Sequence, residues 1–137
     1  MSASLDQSPD RHRWTLKGHR VTQFCADLGS ARLQSWSLQS SLEIRLAVPF
    51  ALAHADGIVR EVDPDEPERL APLLSLLGRE IVELVVTHTG ALSVAFSDGT
   101  TISVESHPRY EAFEVQGGGE LEGLAYLAGP GGGPPWG

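Results

Sequence analysis

The chain has 137 residues, 41% hydrophobic and 20% charged, a balance that fits one folded domain and excludes a disordered or fibrous chain. Eighteen acidic against ten basic residues give a net charge of −8, which disfavours nucleic acid, whose phosphates repel an acidic surface. No apolar run approaches the roughly 20 residues of a membrane-spanning helix, and the single Cys25 cannot close an internal disulfide, so a cytoplasmic location is expected.

Residues 1–13 are polar and aperiodic, lack the apolar core of a secretory signal, and read as a flexible leader to a domain spanning 14–128. A strand is expected at Val21 to Ala26, with Cys25 buried in it and therefore inert. The next hairpin reads with Gln39-Ser40-Ser41 as a three-residue loop, pairing Leu38 with Leu42 and Trp36 with Ile44.

The string Asp63-Pro64-Asp65-Glu66-Pro67-Glu68 then leads into the one helix, at about 66–77. Asp65 and Glu68 have capping-box spacing, Pro67 sits in the first turn, and Leu70, Leu73, Leu74 and Leu77 repeat at helical intervals. Gly78 supplies the stop. Strands follow at Ile81 to Thr87 and in a hairpin over Ser97-Asp98-Gly99. A left-handed Gly99 there pairs Val94 with Ile102 and Leu92 with Val104, so that Phe96 and its neighbours share one face.

Two more strands are expected at Tyr110 to Val115 and Leu121 to Leu127, with Gly117 to Gly119 as a turn between them. Residues 129–137, GPGGGPPWG, read as a flexible tail whose Trp136 either docks back or stands exposed. Leu16-Lys17-Gly18-His19-Arg20-Val21 aligns with Leu76-Leu77-Gly78-Arg79-Glu80-Ile81, which suggests repeat copies at about 16–50 and 76–109. The expected fold is α+β: a mostly antiparallel sheet from two repeated hairpin units, with one helix packed on a face.

No catalytic constellation emerges. The acidic string fails as an EF-hand, because Glu68 stands where that loop needs glycine and Leu74 where it needs glutamate. The five histidines lack metal-pair spacing, although His54 and His107, at equivalent repeat ends, could converge on a ligand. There is no GxSxG, and the glycines at 117–119 precede no Lys-Ser/Thr pair. No enzyme activity, cofactor or metal is therefore assigned.

Charge is uneven along the chain: residues 1–54 sum to +2 and residues 55–137 to −10. That imbalance points to a protein-binding module whose acidic face covers a basic partner, with Asp63, Asp65, Glu66, Tyr110, Glu111 and Trp136 as contact residues. The alternative is a small-molecule or metal-binding domain, or an unrecognised enzyme, with a pocket at the loop end of the sheet. A homo-oligomer through edge-strand pairing is compatible with either.

The Leu-x-Gly-x-x-Val pattern, APLLSLLGR (71–79), SDGT (97–100) and HPRYEAFEV (107–115) together resemble a small bacterial family known as a domain of unknown function, common in high-GC actinobacteria. The resemblance covers roughly residues 14–136, with Phe113 where the family usually has Trp and Trp136 matching its terminal Trp. It implies a shared fold and a bacterial, cytoplasmic source, and offers no catalytic residues to carry over. Nine arginines against one lysine agree with a GC-rich genome.

Overall fold

Alternating apolar and polar residues build almost the whole molecule from strands, in a computed structural model that describes residues 2–136. In chain order these are β1 (Ser2–Gln7), β2 (Arg11–Arg20), β3 (Gln23–Asp27), β4 (Ser30–Trp36), β5 (Ser40–Leu46), β6 (Phe50–Ala53) and β7 (Val59–Val62). A 3-10 helix (Pro67–Leu76) precedes β8 (Glu80–Thr87), β9 (Leu92–Phe96), β10 (Thr101–Val104), β11 (Phe113–Gly119) and β12 (Ala125–Leu127).

The strands form two sheets, one of seven in the order β1-β2-β8-β9-β10-β6-β7 and one of five in the order β12-β11-β5-β4-β3. Every ladder is antiparallel. Leu33, Ile44, Phe113 and Val115 of the smaller sheet share one core with Leu52, Leu84, Val94 and Ile102 of the larger, so the sheets stack as a sandwich.

The hairpin of β9 and β10 has the expected register, Val94 opposite Ile102 and Leu92 opposite Val104. Gly99 is left-handed at φ +89°, and Asp98 Oδ1 accepts from the Thr100 amide at 3.0 Å. The first hairpin differs: Leu33 faces Ile44, and Trp36 faces Ser41. Its turn is Leu38-Gln39, closed by the Ser37 hydroxyl, which accepts from the Gln39 and Ser40 amides at 3.3 and 3.1 Å. A serine that holds the turn removes the need for a left-handed residue. Trp36 and Leu38 consequently face solvent.

The helix is 3-10 rather than α. Pro72 lies inside it, with no N–H to donate and a ring that opposes the α geometry. At three residues per turn the buried stripe is Leu70, Leu73 and Leu76, leaving Leu74 and Leu77 outward. Its N-cap is Glu66, without a side-chain cap, so the Asp65–Glu68 capping box does not form. The segment leaves edge strand β7 and packs beside edge strand β3, closing one side of the sandwich instead of covering a sheet face.

Both chain ends depart from expectation. The leader supplies β1 and the first residues of β2, because a polar strand at a sheet edge needs no apolar periodicity. The tail folds back: the Leu127, Gly131 and Gly133 amides donate to Pro135, His107 and Thr89 carbonyls. Gly117 to Gly119 close β11 rather than forming a turn, and a side chain at Gly117 would strike Leu121. Cys25 is half-exposed on β3, not buried.

Candidate functional site

The residues singled out from sequence fall into three places. Asp63 follows β7 and accepts from the Asp65 amide at 2.9 Å, while Glu66 pairs with Arg69 three positions on. Asp65 is exposed beside the Gly29 turn. Tyr110 and Glu111 lie between β10 and β11; Tyr110 is 62% exposed and tilts against His107, and Glu111 stands 3.9 Å from Arg45. Trp136 lies on the β2 side, partly buried against the core.

A groove of about 550 Å³ opens on the outer face of the seven-stranded sheet, and none of the expected contact residues lines it. Its floor is Pro49, Phe50 and Ala51 of the β6 segment, and its walls are Val59 and Glu61 from β7 and Ser103, Glu105, Ser106 and His107 from the β10 end. The lining holds two carboxylates and no lysine or arginine. Ala51 stands opposite both Glu61 and Ser103, and continuing the two registers sets Asp63 and Glu105 on either side of Pro49. Glu61 and Glu105 thus flank β6 from opposite sides, two strands apart and staggered by two residues, with backbones about 12 Å apart. That spacing is wide enough to admit a cationic side chain between them.

The proposed meeting of His54 and His107 does not occur. β6 and β10 run antiparallel with Thr101 opposite Ala53 and Ser103 opposite Ala51, which puts His54 and His107 at opposite ends of the pair. Among the described residues no group of three His, Cys, Asp or Glu side chains could hold a metal ion.

A second polar cluster sits on the other side of the sandwich. His12 of β2 is buried, with Nδ1 2.9 Å from the Tyr126 hydroxyl and Nε2 3.0 Å from the Gln7 amide. Trp14 Nε1 donates to the same hydroxyl at 2.8 Å. With the Gln7 nitrogen facing the ring, Nε2 accepts and Nδ1–H donates to the phenol oxygen; with that amide turned, Nε2–H donates and the phenol donates to Nδ1. The ring is neutral in both arrangements, and burial pushes the His12 imidazole below the usual histidine range. Burial likewise raises the Tyr126 phenol, against the lowering effect of the Trp14 bond. These groups tie β12 to β2 and have no open space for a substrate, because Trp136 stacks on His12.

Glu61 and Glu105 are not among the residues singled out from sequence, where His12 reads as a structural or surface histidine and Tyr126 as one of several candidate aromatics. His12 and Trp14 carry a local signal, two steps apart on one strand face. Glu61 and Glu105 carry none, since only the pairing of β7 and β10 with β6 makes them neighbours.

Fold and groove together define a two-sheet antiparallel β protein with an acid-walled, apolar-floored groove on its larger sheet. Residues 14–133 match a family described as "Family of unknown function (DUF6188)", and the chain belongs to that family. No curated protein and no solved structure matches the chain.

Proposed function

We propose that the protein is a non-enzymatic binding module, of an immunity or accessory type, that covers a basic surface of a partner protein with the groove of its larger sheet. The observation that carries this reading is the lining: Glu61 and Glu105 with Asp63 adjoining, an apolar floor, and no lysine or arginine among the walls. Such a field raises the encounter rate with cations and excludes anionic partners such as nucleic acid. Asp63, Asp65, Glu66, Tyr110, Glu111 and Trp136 all lie outside the groove's lining; Asp63 adjoins it across from Pro49, and Tyr110 through its contact with His107. A bacterial, actinobacterial and cytoplasmic setting fits the arginine-rich composition and the free Cys25.

The Leu-x-Gly segments support an internal duplication. Gly18 and Gly78 share φ +82°, and the segments meet where the Gly78 amide donates to Val21 O and the Val21 amide to Arg79 O. A small-molecule ligand is the second reading, favoured by the groove volume, which lies in the range of ligand pockets.

Capture from source-cell lysate by the wild type and by a Glu61→Gln/Glu105→Gln variant separates these readings. One stoichiometric basic protein, held by the wild type and lost by the variant and at high salt, is the expected result. A retained small molecule in the native mass, with equal protein capture by both forms, contradicts it.

A further inference from the structure

The groove shares a wall with an unpaired sheet edge, and this juxtaposition determines how a partner can enter. β7 is the last strand of the seven-stranded sheet. Its hairpin partner sets the hydrogen-bond phase: the His54 amide donates to Ile58 O at 2.8 Å, so residues 58, 60 and 62 bond toward β6. Val59 and Glu61, opposite Ala53 and Ala51, occupy the alternate positions and turn their N–H and C=O groups away from the sheet. These are the same two β7 residues whose side chains line the groove. A segment bonded to them would lay its own alternate side chains over the acidic wall.

The other edges differ. The smaller sheet ends at β3, beside the 3-10 helix, and at β12, where the Leu127 amide donates to Pro135 of the tail. β1 ends the larger sheet on the far side from the groove. At β7, Val59 is 64% exposed, a large apolar side chain beside outward-facing backbone, and Ile58 just before it is 52% exposed. Pairing of two β7 edges from two copies would join two acidic grooves on one sheet face, and like charges disfavour that occupant.

We propose that β7 receives an extended segment of the partner protein as an added strand, with lysine or arginine at every second position directed at the near acidic wall, Glu61 and Asp63. The proposal rests on the binding reading above and specifies its form. Backbone bonds to Val59 and Glu61 supply the affinity, and the acidic wall selects the basic register.

A labelled peptide of alternating lysine and valine, seven residues long, is the probe, with fluorescence anisotropy at low salt as the readout. Val59→Pro removes an outward N–H and leaves the β6 bonds and every carboxylate in place, a substitution an edge strand tolerates. Binding by the wild type, at least tenfold weaker binding by Val59→Pro, and loss in Glu61→Gln/Glu105→Gln is the expected set. Equal binding by Val59→Pro and wild type, with loss only in the charge variant, overturns strand addition and leaves the acidic groove standing. No binding by the wild type, or dimerisation through β7 in its place, overturns the proposal. If Val59→Pro does not fold, peptides N-methylated at one or the other set of alternate residues give the same reading. One set must abolish binding and the other must not, and equal effects overturn the proposal.

Discussion

Trp136 lies flat on His12, ring centroids 3.9 Å apart and planes 10° from parallel, so the two ends of the chain meet over Tyr126. The Gly/Pro-rich tail is thereby part of the fold. Trp136→Ala uncovers the imidazole and removes a partly buried aromatic; a loss of about 1–2 kcal/mol is expected, below the full-core value for such truncations. Urea unfolding of the variant against wild type measures it, and an unchanged midpoint would show that the stack contributes nothing.

Acidification should weaken the fold through its buried histidines. Burial holds both His12 and His19 below the usual histidine range, with Glu120 and Glu80 opposing the shift at His19. The unfolded chain therefore takes up these protons first, near its ordinary pKa of about 6.5. Stability is full above that value and declines as pH falls below it toward the folded-state pKa values. Melting curves between pH 7.5 and 5 check the slope, and His12→Gln should flatten part of it. The Asp27 carboxyl, lowered chiefly by its Arg32 hydrogen bond, acts only at more acid pH.

The pitch of the helix can be read from two adjacent leucines. Leu73 is fully buried and Leu74 is 51% exposed. Leu73→Ala should cost about 2–5 kcal/mol and Leu74→Ala about 0.5 kcal/mol or less. An α-helix with the 70, 73, 74, 77 stripe would make the two losses similar, and chemical denaturation distinguishes these outcomes.

Glycine at 117 is required by proximity. An added Cβ would overlap the Leu121 carbonyl, whereas Gly123 has open space around it. Gly117→Ala should lose about 3 kcal/mol or fail to fold, and Gly123→Ala should stay within about 0.5 kcal/mol. Comparable melting temperatures for the two variants would contradict the close packing of β11 on its following turn.

The legible parts of the fold were those with local chemistry. Asp98-Gly99 names its turn, and the alternation of Leu92, Val94 and Phe96 fixes which residues face inward, so the β9–β10 register followed. Ser37 is one of several serines around the first turn, and nothing local marks it as the residue whose hydroxyl closes that turn. The leucine cluster at 70–77 satisfies periods of 3.0 and 3.6 together, and Pro72 is what decides between them. The acidity of the second half pointed toward the β7 end, yet Glu61 and Glu105 are far apart in sequence. Strand pairing through β6 brings them to one groove, and the sequence carries no short-range trace of that pairing.

The central claim, that the groove is an acidic binding surface for a cationic protein segment, is tested most directly by titrating isotope-labelled protein with an oligolysine peptide at low salt and following backbone amide shifts. Shifts at Ala51, Glu61, Ser103, Glu105 and His107 that vanish at high salt and in Glu61→Gln/Glu105→Gln are the predicted result. Shifts centred on Asp65 and Glu66, on the Trp36 hairpin, or absent altogether would contradict it.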